Sequence, residues 1–419
     1  MNKRKVLFIC SDDYPFFGAN GKLLNNLFEA GLKDRYEIHV LTYIHSLTEK
    51  EEETIDGVVV HRFFSWFMLP KKEAVKLLQI SGKHKLFFKL FLKKFIPKIA
   101  SKLDPTFFLS EQYSRDIFNK IKELDEKLSF DVLVPVLAGY ENVEASIRYK
   151  KKRPGIVLVV YQMDPCKDNM MGKSLSRKKR EMLEMQFLKE ADAIFTTPII
   201  NKSYRNEYKE SITNKVIQLE FPAVVRSDYK VRKCGEKTYC LFCGNIYKKI
   251  RDPHYTIILF KALREDNVEL HIVGNCDEYL EDGKGENIIF HGSVPNEEGK
   301  QYMERADILV NIGNVMNNQV PSKIFDYLST GKPIVNIYKN SDCPTLSYLK
   351  KYPYACSIRE KEKLDFEDVE TLKRFIISNR GKRLDNATVR EIYNECTPEK
   401  CSIIITNTID KLLNVLNKE

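Results

Sequence analysis

The stretch NNQVPSKIFDYLSTGKPIVNIY, starting at Asn317, sets a proline, a serine and a lysine where a helix should begin. Pro321 suits the first helical turn, Ser322 and Lys323 follow in it, and Asp326 lies one turn further on a neighbouring face. A lysine at a helix N-terminus opposes the macrodipole, so Lys323 is a poor choice for stability, and a bound anion would remove the conflict. A second stretch, CGNIYKKIRDPHYTIILFKAL, follows an apolar run, turns at Gly244 and enters a helix near Pro253. Its loop carries Lys248, Lys249 and Arg251 at the carboxyl end of a strand, where fixed positive charge would meet a diphosphate; solvated loop charge is the alternative. A third, PFFGANGKLLNNLFEAGL, places Gly18 and Gly21 in a loop opening a helix. Glycines there permit tight turns and close ligand approach, although the spacing is not GxGxxG and a bland turn would look the same.

The elements that must position these residues are short β-branched or apolar runs alternating with amphipathic helical stretches, the pattern of parallel sheets covered by helices. In the first half the strands read KVLFIC, YEIHVLTY, GVVVHRF, FDVLVPV, GIVLVVYQ, ADAIFTT and KVIQLEF. The pattern restarts with TYCLFCGN, VELHIVGN, NIIFHGSV, ADILVNIG and KPIVNIY. Between the halves, Pro222 and a mixed-charge stretch mark a boundary. The expectation is a first Rossmann-like domain over 1–222, a second over 223–397, and a C-terminal helix over 398–419. That helix should set Ile404, Ile405, Ile409, Leu412 and Leu416 near one face, and a crossing back to the first domain is part of the expectation. Ligands of such units bind outside the carboxyl ends of the strands, so two facing units would share a cleft.

Composition narrows the class. With 419 residues, 43% hydrophobic and 30% charged, the chain is long enough for two domains and reads as globular. Val6 to Cys10 is too short an apolar run for a secretory signal, and no stretch is apolar enough to span a bilayer, so a cytoplasmic location is expected. The ten cysteines are scattered; in the one CxxC, Cys240 and Cys243 would point to opposite faces of a strand, which argues for free thiols over zinc. Of the net charge of +10, ten lysines and one acid between Lys71 and Lys102 account for 10 − 1 = +9. A single local patch is not the spread basic surface of a nucleic-acid binder.

The segment PSKIFDYLSTGKPIV resembles the donor-binding segment of family four glycosyltransferases, bacterial retaining enzymes with the glycosyltransferase B fold. GNIYKKIRDP is similar to their phosphate-contacting loop and FFGANGKLLNNL to their N-terminal glycine loop, while YQMDP and ADAIFTT fall in the expected order. The resemblance implies an α/β protein of two Rossmann-like domains facing a cleft. Its activity would be transfer of a sugar from a nucleotide-diphosphate sugar to a glycan or lipid-linked glycan, with retention, in polysaccharide biosynthesis. It further implies that Lys323 and Arg251 contact the donor diphosphate and stabilise it as it leaves. Asp326 stands where the family has a ribose-binding glutamate, and Gly18 and Gly21 would lie beside the donor phosphates or acceptor. Asp164 of YQMDP would face the reacting sugar; a turn cap before Pro165 is its alternative. Asn245, Lys249, Asn318, Pro321 and Ser322 complete the donor-binding set. Asn318 occupies the position of another family glutamate, eight residues before Asp326, which reads as subfamily variation or as the mark of a noncatalytic scaffold in a glycan assembly complex. Retention through an oxocarbenium-like state needs no nucleophile, in keeping with the lack of a glycosidase-type carboxylate pair. With no DxD-like triad in a suitable loop, neither a metal nor another cofactor is expected.

From Lys83 to Phe95, KHKLFFKLFLKKF puts Phe87, Phe91, Phe95, Phe88 and Leu92 on one helical arc and Lys85, Lys89 and Lys93 on the adjacent one, before Pro97 limits the helix. This basic amphipathic insertion, about 71–103, fits an anionic membrane surface, with a core-packed helix as the alternative.

Overall fold

The computed structural model describes residues 3–10, 14, 18–46, 48–65, 111–168, 176–227, 235–246, 250–276 and 285–416. The membrane expectation on Lys85, Phe87, Phe88, Lys89, Phe91, Lys93 and Phe95, and the donor expectation on Lys249, fall outside them. Among the described residues no helix is long and apolar enough to cross a membrane.

The chain divides into two compact units, Met1–Pro222 with Pro398–Glu419, and Ala223–Thr397. In the first, the strands are β1 (Lys5–Ile9), β2 (Glu37–Tyr43), β3 (Glu52–Ile55), β4 (Val58–Phe63), β5 (Val132–Pro135), β6 (Val157–Gln162), β7 (Ala193–Thr196) and β8 (Val216–Gln218). They form one sheet in the order β3-β4-β2-β1-β5-β6-β7-β8, parallel apart from the β3–β4 pair. The second unit holds β9 (Thr238–Cys243), β10 (Val268–Val273), β11 (Ile288–Gly292), β12 (Ile308–Ile312), β13 (Ile334–Tyr338) and β14 (Ala355–Arg359), all parallel, in the order β11-β10-β9-β12-β13-β14. This is the doubly wound order, and it reverses direction between β9 and β12; in the first unit the reversal lies between β1 and β5.

Continuous apolar runs became central strands because helices cover both faces of a parallel sheet: β5, β6, β7 and β12 are buried at every position. The structure adds two strands to those expected, β3 and β14, both sheet-edge strands with alternating or mostly exposed residues. EETI and ACSIR lack the continuous apolar run of the inner strands because several of their residues meet water. The β3–β4 hairpin did carry a local signature, since Asp56 and Gly57 turn with φ of 49° and 83°, the two positive values of a tight hairpin.

Helix Pro398–Leu416 packs on helix Ala19–Leu27, on the turn Phe28–Leu32 that continues it, and on β6. Its buried stripe is Cys401, Ile405, Ile409 and Leu413, spaced by four, so Ile404 and Leu412 flank the contact instead of filling it; the side chain of Leu416 lies outside the described residues. Asp410 receives hydrogen bonds from Tyr36 Oη (2.7 Å) and Arg35 Nη2 (2.8 Å), which ties the end of the chain to its beginning.

Each unit pairs two histidines across neighbouring strands, β2 with β4 and β10 with β11, and all but His291 are buried. His39 Nδ1 lies 2.9 Å from His61 Nε2, and His271 Nδ1 lies 2.9 Å from His291 Nε2; in both, a glutamate two residues earlier faces the first ring's Nε2. Burial pushes His61 and His271 from 6.5 down to about 4. The unfolded chain takes up these protons as pH falls below 6.5, whereas the folded chain does not until about 4. Stability is therefore expected to drop across that window, by up to roughly 3 kcal/mol per ring. Urea unfolding at pH 7 and 4.5 checks this: the midpoint should fall, and fall less in a His61→Gln, His271→Gln variant. An equal fall in both proteins would assign the acid sensitivity to carboxylates.

Candidate functional site

The site grows from the end of β9. Three neighbouring strands, β10, β9 and β12, each run into Gly-Asn: Gly274-Asn275, Gly244-Asn245 and Gly313-Asn314. The glycines let these ends approach: a Cβ on Gly274, whose φ is +132°, would sit 2.1 Å from the Gly244 carbonyl oxygen. Gly244 N–H donates to Val273 O and Ile246 N–H to Asn275 O, both at 2.8 Å, while Asn245 Oδ1 accepts from Asn275 N–H at 2.9 Å. The chain beyond β9 is thus held against the chain beyond β10 before it reaches Arg251.

Arg251 lies over Gly244. A Cβ at that glycine would stand 3.3 Å from Nη1, so the absent side chain makes the guanidinium's seat. Nε donates to Asn314 Oδ1 (3.0 Å), Nη1 to Asn245 O (3.4 Å), and the guanidinium carbon is 5.9 Å from the centroid of the Phe242 ring. Among the described residues these partners are neutral, with no carboxylate in ion-pair range. Burial lowers the Arg251 pKa from its ordinary value, as expected of a charge with part of its water removed and no counter-ion supplied.

Lys323 opens helix Lys323–Thr330, which follows β12 in the chain. Before it, Ile324 N–H bonds Pro321 O (3.0 Å) and Phe325 N–H bonds Ser322 O (3.2 Å), so Pro321 and Ser322 wind a tight turn into the helix. Ser322 is the N-cap without a side-chain cap bond. Lys323 Nζ lies 3.4 Å from Asp326 Oδ2, and this carboxylate in the first turn offsets part of the dipole conflict that the sequence left to a bound anion. The helix is pinned by Tyr327, whose hydroxyl accepts from Cys243 N–H at 2.8 Å and is 3.4 Å from Cys243 O. The Cys243 thiol feels both Lys323 and Asp326, and Tyr327 feels Arg251 and Asp326. Two cations more than seventy residues apart thus flank the last residues of β9.

Asn318 lies half-buried in the loop between β12 and that helix. The same loop is stitched to the Arg251 segment by Val315 N–H to Ile250 O at 2.7 Å. In the first unit, Gly18 caps helix Ala19–Leu27 with φ +99°, a conformation that favours glycine, but Gly21 is not in a loop: it is buried inside the helix, because the helix starts two residues before it. Asp164 lies on the bend after β6, where its carbonyl accepts from Gln162 Nε2 at 3.1 Å. Beneath it, Gln162, Tyr204 and Glu184 form a buried chain, with Tyr204 Oη 2.9 Å from Gln162 Nε2 and 3.0 Å from Glu184 Oε2.

Sequence reading missed Asn314, Tyr327 and Gly274; the Gly-Asn recurring at three strand ends is the signal that would have found two of them. Among the described residues no three His, Cys, Asp or Glu side chains cluster as metal ligands, and Cys240 and Cys243 are free buried thiols.

Residues 237–344, the span holding Arg251, Asn314, Lys323 and Asp326, match the family model "Glycosyl transferases group 1". A search of curated proteins by sequence finds no match. Among solved structures the chain is similar to a sucrose-phosphate synthase from Thermosynechococcus elongatus, with 11% identity, TM-score 0.69 and coverage of 99% of this chain and 100% of that one. It is also similar to an E. coli structure titled trehalose-6-phosphate bound with UDP-2-fluoro glucose, with 8% identity, TM-score 0.61 and coverage of 97% and 99%. A third is the lipopolysaccharide outer core galactosyltransferase WaaB, with 10% identity, TM-score 0.56 and coverage of 97% and 99%. At these identities the likeness carries the fold, two parallel-sheet units of the glycosyltransferase B kind. Residues 237–344 thus match the glycosyl transferases group 1 model, and the chain that carries them has the glycosyltransferase B fold.

Proposed function

We propose that the chain transfers a sugar from a nucleotide-diphosphate sugar to a glycan or lipid-linked glycan, with retention and without a metal, at the inner face of the cell membrane. The observation that carries the donor half is Arg251 and Lys323 flanking the end of β9, where the strand order reverses and ligands of doubly wound sheets bind. When the nucleoside diphosphate departs, negative charge grows on the β-phosphate, and two preorganised cations lower that barrier as oxyanion donors do. Asp326 takes the ribose hydroxyls, and Asn245, Lys249, Asn318, Pro321 and Ser322 line the donor. Asp164, with Gly18, serves the sugar and the acceptor.

A thermal-shift screen with UDP-, GDP- and ADP-sugars tests the donor reading; a melting temperature unmoved by all three overturns it. Asn318, in the place of a family glutamate, favours a second reading, a noncatalytic scaffold, which would bind a donor and release no nucleotide. The membrane part of the proposal rests on the basic aromatic stretch 83–95: flotation with anionic vesicles should be lost on replacing Phe87, Phe88 and Phe91 with Ser, and undiminished binding rejects it.

A further inference from the structure

We propose that Asn314 is the positioning residue that makes Arg251 and the Lys323 segment one diphosphate site. This rests on the donor reading of Arg251. Asn314 is 6% exposed, and its two amide atoms face opposite segments. Oδ1 accepts from Arg251 Nε at 3.0 Å, and Nδ2 donates to Gln319 O at 3.3 Å, four residues before Lys323. Chemistry forces this orientation of the amide, because a guanidinium only donates and a carbonyl only accepts. The backbone repeats the link through Val315 N–H to Ile250 O, and Asn340 Nδ2 holds Val315 O from the end of β13 at 2.7 Å. A neutral acceptor on Nε fixes the guanidinium plane while leaving its charge intact. A fork with a fixed plane and full charge is what bidentate phosphate contact requires. An aspartate in the same place would hold the plane but neutralise the cation and repel the Gln319 carbonyl.

The test is calorimetry on the full chain with UDP, GDP and ADP and with the matching nucleosides. Asn314→Asp is expected to weaken the preferred diphosphate by about tenfold or more while changing nucleoside affinity by less than about twofold. Asn314→Ala, which leaves Arg251 charged but unguided, should show the same pattern more weakly. In an Arg251→Ala background, the loss from Asn314→Ala should be smaller than in the wild-type background, since part of it passes through that guanidinium. Equal losses for diphosphate and nucleoside, an unchanged diphosphate affinity, or an undiminished loss from Asn314→Ala in the Arg251→Ala background would each overturn the proposal. So would failure of both variants to fold, which would make Asn314 a structural residue. A wild-type protein that binds none of the three diphosphates is a different outcome: it removes the donor reading and this proposal with it.

Discussion

Lys323→Ala is expected to cut donor turnover by about a hundredfold, roughly 3 kcal/mol of lost transition-state stabilisation, while leaving the protein folded. The loss should fall mainly on kcat, because the β-phosphate carries more negative charge as the bond breaks than in the bound donor, so the ammonium helps the transition state more than the ground state. The fold should be spared for a reason visible in the structure. Lys323 is 39% exposed, its partner Asp326 sits in the first turn of the helix, and an exposed pair at 3.4 Å contributes under about 1 kcal/mol. Removing the lysine leaves a carboxylate at a helix N-terminus, which the dipole favours. Nucleotide-release kinetics with a melting curve on the same sample check the expectation. Turnover within about threefold of wild type would take Lys323 out of the catalytic set.

Lys332→Met should do the reverse, destabilising the second unit with no direct effect on chemistry. Lys332 stands nine residues after Lys323 in the same motif, yet it is 7% exposed. Its ammonium donates to the carbonyls of Met303 (2.8 Å), Glu304 (2.7 Å) and Ala306, at the C-terminal end of helix Asn296–Arg305. Three donors meet three orphan carbonyls where the dipole is negative, so the buried charge is fully used. Methionine fills the space and satisfies none of them, which should cost about 3 to 5 kcal/mol. For a unit of this size each kcal/mol moves the melting temperature by about 2 to 4 °C, giving a drop of about 10 °C by calorimetry. A shift under about 2 °C would mean that water replaces the ammonium.

Most of the architecture was legible because buried parallel strands are continuous apolar runs, and KVLFIC or ADILVNIG can hardly be anything else. The edge strands were not, since EETI and ACSIR keep several residues in water and lose the signal that burial writes. The stretches around Arg251 and Lys323 stood out through local oddities, a lysine against a helix dipole and a cationic loop after a strand. Gly21 was misplaced for a local reason too: the helix begins at Ala19, and a buried glycine within a first turn looks in sequence like a loop glycine.

The residues alone therefore determined the α/β class, the strand runs of both halves and the cations suited to a diphosphate, because each is written in a few adjacent positions. Only the tertiary structure decided which cation does what. The β9–β12 reversal brings Arg251 and Lys323 to one strand end and seats Arg251 on Gly244 under Asn314, while the same motif's Lys332 turns inward to cap a helix. The hydrogen bonds behind those assignments join residues between twenty-six and sixty-three positions apart, and bonds at that separation exist only once the sheet has been assembled.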